Sequence, residues 1–238
     1  MVGDIAGFIA STYKRGVDFI QVPTTLLAMV DSSIGGKNGV DFGEKKNYVG
    51  TIYQPKKILT DFLFLETLSE KEFRNGLAEV IKYSYLFDSP ELERFQIRVG
   101  KNEDIEDIIL KSMKTKIKIV EEDENDQGKR RVLNFGHTFG HSIEILYSLS
   151  HGEAVSIGMM KEALLARKLG LADDKKINDL RNSLTANNLP IDWPENSNAE
   201  DIIRIMKYDK KGKFTFAFDA ENFNVTLDEN VVRNFLGI

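Results

Sequence analysis

The spacing of apolar residues changes character once along this chain, near residue 62, and that change constrains the fold more than any single motif. Ahead of it, short β-rich runs alternate with helical stretches. Residues 3–13 repeat apolar side chains at helical spacing, 19–22 form a β-rich run closed by Pro23, 26–30 are helical again, and 57–60 suit a further strand. The glycine-bearing segments 33–39 and 43–50 read as loops. Beyond residue 62 helical spacing dominates, predicting helices over 70–86, 103–121, 130–147, 153–169, 175–186 and 199–206. A small β element, 214–218 paired with 223–226 across an Asp-Ala-Glu-Asn turn, precedes a last helix over 230–236. The expected architecture is an α/β portion at 1–62 followed by a mainly α-helical portion at 63–238.

Composition narrows the chemistry. With 238 residues, 42% of them hydrophobic and 29% charged, the chain has enough apolar material for a sizeable core. It has no run long enough to span a membrane and no leader-like start, so the cytosol is the expected location. A formal net charge of −5 argues against a nucleic-acid partner and for a small molecule. Cysteine is absent, which excludes thiolate nucleophiles and thiolate metal sites. Any metal must rest on histidine and carboxylate.

His137, His141 and His151 are the only histidines and lie close together in sequence. His137 and His141 are four apart, so a helix projects both from one face. Arg130, Asn134, His137 and His141 together make a polar stripe at helical spacing, which must face water or a polar cleft. A bare His-x-x-x-His also describes surface or core-satisfied histidines. Two histidines and one carboxylate would suit a catalytic divalent ion with a position left open for substrate. Glu79, on the apolar segment GLAEVIK, is the best carboxylate; Lys82, three residues on, equally permits an internal ion pair. Between 31 and 47, glycines with Lys37, Lys46 and Asn47 supply backbone access and donors for anionic oxygens, yet match neither the P-loop nor Gly-x-Gly-x-x-Gly. Ordinary turns with solvated lysines would look the same.

The strings GDIAGFIASTYKRGVDFIQVPTTLLAMVDSSIGGK, KKNYVG, GLAEVIK, RRVLNFGHTFGHSIE and HGEAV occur in an order that resembles the 3-dehydroquinate synthase family, and the resemblance continues to Asp209-Lys210-Lys211. It implies an NAD- and metal-dependent lyase of the shikimate pathway. The family converts 3-deoxy-arabino-heptulosonate 7-phosphate to 3-dehydroquinate and phosphate by transient oxidation, elimination, reduction and aldol closure. By motif, Glu79, His137 and His151 are implied as ligands of zinc or cobalt, and His141, Lys82 and Asp31 as catalytic residues. Implied NAD contacts are Asp4, Thr24, Thr25, Lys37, Lys46 and Phe64, Leu65, Glu66 and Thr67. Implied substrate contacts are Arg15, Lys37, Asn47, Lys116, Arg130, Asn134 and Lys210. Arg15 matches a residue that reaches a neighbouring subunit, so a homodimer is implied.

The resemblance leaves alternatives. Other sugar phosphate cyclases share the NAD and metal core, although Lys116, Arg130 and His141 favour a substrate bearing a carboxylate. Glu44-Lys45 ahead of Lys46, and Asn38 after Gly-Gly-Lys, depart from the family's usual residues. Family members also carry further nucleotide-binding sequence ahead of the Gly3-Asp4 point. The resemblance therefore implies that this stretch by itself retains little NAD affinity and, with strands lacking, is inactive or prone to aggregate.

Overall fold

Helix α1 (Val2–Thr12) opens the computed structural model, which describes residues 2–42, 45–91, 104–207 and 213–238, the side chains at 41 and 45–47 excepted. Contacts divide the chain into two units: Met1–Gly76 with Lys101–Arg130, and Leu77–Gly100 with Arg131–Ile238. This grouping places 63–76 and the helix after residue 103 with the α/β elements, where the sequence reading put them with the helical portion.

In the first unit, β1 (Ile20–Gln21) pairs in parallel with β4 (Lys57–Ile58), Ile20 opposite Lys57. A π-helical turn over Ala28–Ser32 buries Met29 and Val30. Then β2 (Lys37–Phe42) and β3 (Lys45–Ile52) pair antiparallel, with a register shift between Val40 and Phe42. This hairpin corrects the expectation of two loops. Gly39 lies opposite Gly50 in the ladder, and a Cβ on Gly50 would come within 2.5 Å of the Asn38 carbonyl. The glycines that read as loop markers serve close backbone approach between strands. Helix α3 (Asp104–Glu122) buries Ile105, Ile108, Ile109, Ile119 and Val120 along one side. Helix α2 (Glu70–Phe87) crosses from the first unit into the second.

The second unit is built around α5 (His151–Lys168), which is buried almost all round from Gly152 to Ala166. Beside it lie α4 (His137–Tyr147), α6 (Asp174–Ala186), α7 (Ala199–Met206), the antiparallel pair β5 (Lys213–Phe216) and β6 (Val225–Asp228), and α8 (Glu229–Leu236). Strand β5 alternates as a half-buried strand should, with Phe214 and Phe216 inward. These rings join Phe139, Phe218, Ile202, Ile203 and Val232 in one core. Phe139 meets Trp193 edge-on at 5.5 Å and Phe216 at 5.3 Å between centroids. Buried phenylalanines of this kind each stabilise by about 1.5–3 kcal/mol.

One expected helix is broken. Residues 130–147 do not form a continuous helix: a 3₁₀ turn covers Lys129–Asn134, Gly136 takes a left-handed φ of 82°, and α4 begins afresh at His137. A Cβ at residue 136 would strike Met159 at 2.5 Å, and one at Gly158 would lie 1.9 Å from the Gly136 carbonyl. Only glycine at both positions lets α5 come this close to the chain entering α4. The stripe Arg130–Asn134–His137–His141 is therefore not one helical face.

Candidate metal centre and its cavity

The residues meet at helix ends. His137 is the first residue of α4 and His151 the first of α5, while Glu79 lies within α2 and is fully buried. No side chain at Gly136 caps α4. Instead Glu162, fully buried on α5, accepts hydrogen bonds from the backbone N–H of Gly136 (2.8 Å), Thr138 (2.9 Å) and Phe139 (3.2 Å). A carboxylate there satisfies donors that a helix start leaves over and meets the positive end of the helix dipole. It also holds His137 in place. At α5, Glu153 reaches back to accept from the Ser150 N–H (2.9 Å) and hydroxyl (2.7 Å), which fixes the start at His151.

Glu79 Oε1 lies 3.3 Å from His151 Nε2 and 3.6 Å from His137 Nε2, and one ligand atom from each residue falls within 4.8 Å of the others. Tetrahedral zinc with ligand bonds of about 2.0–2.1 Å places its ligand atoms about 3.4 Å apart. The donor set fits such an ion in chemistry as well as spacing: two imidazoles and a carboxylate, with no thiolate. Outer partners orient each ligand. His137 Nδ1 donates to the Phe135 carbonyl at 3.1 Å, leaving the Nε2 lone pair toward Glu79. His151 Nδ1 faces Glu144 Oε2 at 3.5 Å, and Lys82, buried on α2, pairs with the other oxygen of Glu79.

The two imidazoles titrate in opposite directions. Burial, and then the positive charge of Lys82, hold His137 well below the usual histidine range, so it stays neutral. Burial pushes His151 down too, but hydrogen bonds and charge from Glu144 and Glu79 outweigh it and raise its pKa to about 9. A metal ion at this site must displace that proton.

His141 follows His137 by one turn, its ring edge-on at 5.1 Å. Both border a cavity of about 370 Å³ shared with Asn134, Arg131, Phe216 and Phe223. Asn134 joins the histidines here although the helical stripe that suggested it is absent.

The first unit gathers a second group. Lys116 donates to the carbonyl (2.6 Å) and carboxylate (2.7 Å) of Asp31. Arg130 is buried, with its guanidinium on the carbonyls of Gly35 (2.9 Å) and Glu124 (2.8 Å). Lys37 pairs with Asp126 at 2.5 Å, and Asp4 and Lys37 border one cavity of about 350 Å³. Thr25 accepts from the Ala28 N–H, and Thr24 is exposed. Of Phe64–Thr67, Leu65 is buried and the others face water. Arg15 is exposed at a φ of 70°. The side chains of Lys46 and Asn47, and Lys210, lie outside the described residues.

Sequence reasoning missed Arg131, Glu144 and Glu162. The clearest available signal was Lys161-Glu162, a charged pair interrupting the apolar run of α5.

Among the described residues no helix is long and apolar enough to cross a membrane. Family models match end to end: 3-dehydroquinate synthase N-terminal over residues 1–75 and 3-dehydroquinate synthase C-terminal over 76–212. The chain is 44% identical to a 3-dehydroquinate synthase of Prochlorococcus marinus (strain MIT 9211), covering 98% of this chain and 66% of that protein. It is likewise 44% identical to one of Thermoanaerobacter pseudethanolicus, covering 90% of this chain and 62% of that protein. A pentafunctional AROM polypeptide of Pneumocystis carinii is 43% identical over 95% of this chain and 16% of its own length. The chain thus spans under two thirds of the length of these relatives. Among solved structures, 2-deoxy-scyllo-inosose synthase complexed with carbaglucose-6-phosphate, NAD+ and Co2+ superimposes with a TM-score of 0.87 at 23% identity, over 98% of this chain and 70% of that one. The 2-epi-5-epi-valiolone synthase of Streptomyces hygroscopicus subsp. jinggangensis, with NAD+ and Zn2+ bound, gives 0.79 at 27% identity, over 98% and 69%. Two adjoining family models and this level of identity lead to one conclusion: the chain belongs to the 3-dehydroquinate synthase family.

Proposed function

We propose that this chain serves the family's reaction, converting 3-deoxy-arabino-heptulosonate 7-phosphate to 3-dehydroquinate and phosphate. The observation that carries the reading is the Glu79–His137–His151 cluster, whose donor atoms lie at metal-ligand spacing in a chain with 3-dehydroquinate synthase relatives. The solved relatives named with NAD+ and either Co2+ or Zn2+ support the same pair of cofactors.

In this reading Glu79, His137 and His151 hold zinc or cobalt; when bound, the metal polarises the substrate's hydroxyl and ketone oxygens, and NAD takes up and returns a hydride. Lys82 pairs with one oxygen of Glu79 and keeps the other turned toward the imidazoles. His141, in the same cavity as His137 but outside the ligand set, takes the hydroxyl proton and returns it. Asn134 orients the substrate there. In the first unit Asp31 and Lys116 act as a pair: a substrate carboxylate at Lys116 would take the place of, or share, its bond to Asp31. Arg130, Lys37, Asn47 and Lys210 complete the substrate set. Asp4, Thr24, Thr25, Lys37, Lys46 and the 64–67 turn serve NAD. The acting form is a cytosolic homodimer in which Arg15 reaches the partner subunit.

The test is turnover by the zinc- or cobalt-loaded chain with NAD, followed as phosphate release. Against the inactivity that the resemblance implies for this stretch by itself, the heptulosonate phosphate should be consumed with no net NADH, while sedoheptulose 7-phosphate and glucose 6-phosphate should not. Preference for either of the latter would assign the chain to another cyclase activity; accumulation of NADH would make it a dehydrogenase.

A further inference from the structure

Arg130 and Arg131 are neighbours in sequence with opposite surroundings. Arg130 is 2% exposed and bonded to two backbone carbonyls. Arg131 is half-buried, borders the cavity that contains His137 and His141, and its side chain makes no hydrogen bond or ion pair with any described residue.

Half-burying a guanidinium strips water from some of its five donors, and the loss is recovered only if an acceptor replaces that water. Among the described residues no carboxylate borders this cavity, whose polar lining is Arg131, Asn134, His137, Thr138, His141 and Thr215. Asn134 adds an amide, and the His141 imidazole can donate. On another side, the half-buried Phe223 offers apolar surface. Donors gathered around one cation, with a hydrophobic flank and no competing acid, describe a receptor for an oxyanion attached to a carbon skeleton. Arginine suits this better than lysine, because its planar fork matches two oxygens of one phosphate or carboxylate.

We propose that Arg131 is an oxyanion-binding residue of this cavity, holding a phosphate or carboxylate group whose carbon skeleton lies against Phe223. The identity of the natural ligand rests on the proposed function, since the heptulosonate phosphate carries both groups; the anion site itself rests on the cavity. Arg131 then acts beside His141 on bound substrate, whereas of these two arginines the resemblance implied only Arg130 as a substrate contact.

The experiment compares the wild-type chain with Arg131→Ala and Arg131→Lys, each cobalt-loaded, by calorimetric titration with inorganic phosphate and, separately, acetate. Metal content per chain is measured in all three. Loss of a charge-assisted, forked contact should weaken binding of the matching probe by about 10- to 100-fold in Arg131→Ala. Arg131→Lys should fall between, and metal content should not change. The probe whose affinity falls identifies which end of the ligand Arg131 holds. With the heptulosonate phosphate, KM should rise by a similar factor while kcat changes little, as for an interaction made equally in ground and transition states. Equal affinities across the three proteins, or no binding of either probe to the wild type, overturns the proposal. Since Arg131→Lys preserves charge and bulk, it supplies the comparison should the alanine variant fold poorly. Phosphate binding that depends on Arg131 in a chain without turnover would refute the dehydroquinate synthase reading and leave the anion site standing. Turnover with unchanged KM in both variants would do the reverse.

Discussion

The two units bury their apolar residues very differently. The second encloses a helix, α5, on nearly all sides and packs Phe139, Phe214, Phe216 and Phe218 into one core. The first carries only two-residue strands in its parallel pair and leaves apolar side chains in water: Val2 is 84% exposed, Ile9 54% and Tyr13 58% along α1, and Ile20 and Leu59 are each 53% exposed. Parallel strands normally have both faces covered. The difference sets two unlike surroundings for the candidate site residues. The two histidines of the candidate metal cluster sit on helix starts pinned to a closed core, whereas the Asp31–Lys116 group sits in a unit with open apolar surface. Sites that need sub-ångström geometry belong on the former.

The strongest way to sharpen this contrast is His151→Ala, which removes a proposed ligand and leaves the core intact. It should abolish stoichiometric zinc or cobalt binding and turnover together, as read by metal analysis after dialysis. His141→Ala, one turn from His137, should keep the metal and lose turnover by about 10²- to 10⁴-fold; loss of metal as well would exchange the roles. A test of the core itself is Phe216→Ala, expected to cost about 3–5 kcal/mol in denaturant unfolding. A cost below about 1 kcal/mol would mean that the second unit does not depend on this packing.

pH reads the cluster without mutation. In metal-free protein His151 has its pKa raised to about 9, so its proton stabilises the fold fully below about 6.5 and that contribution is lost as pH rises through about 9. His137 is shifted the other way, and its contribution is lost as pH falls below about 6.5. Melting temperature of the metal-free chain should therefore be highest near pH 6.5 and fall on either side, while zinc affinity climbs toward about pH 9 as the His151 proton ceases to compete. A flat alkaline limb would show that His151 does not carry its proton between Glu79 and Glu144.

Glu162→Gln should have a smaller effect. Replacing the carboxylate under α4 loosens the first turn that bears His137, with zinc affinity weaker by about 10- to 100-fold, as for other groups that orient metal ligands. Unchanged affinity would leave Glu162 a cap and nothing more. The smallest effect belongs to the first unit: Ile9→Ala, on the exposed side of α1, should change stability by no more than about 0.5 kcal/mol. A large loss there would mean that this face is covered in solution and would erase the contrast between the units.

By itself the sequence determined the kinds of element and the kinds of ligand. Apolar period is set by backbone geometry, so the helix at 199–206 and the start and end of most other helices could be read from neighbours three and four residues away. The absence of cysteine left histidine and carboxylate as the only metal donors. Tertiary structure alone decided what depends on distant partners. Glu79 and His151 are 72 residues apart, and no spacing rule brings them to 3.3 Å. The hairpin of β2 and β3 exists because Gly39 and Gly50 face each other, a pairing that local glycine content disguises as loops. Helix α4 starts afresh at His137 because Gly158 and Glu162, more than 20 residues later, press against and cap its first turn. Arg130 and Arg131 lie together in the 3₁₀ turn ahead of that break and still have different surroundings. Identical side chains in adjacent positions share every local propensity, so only packing around each could give one two carbonyl partners and leave the other facing a cavity.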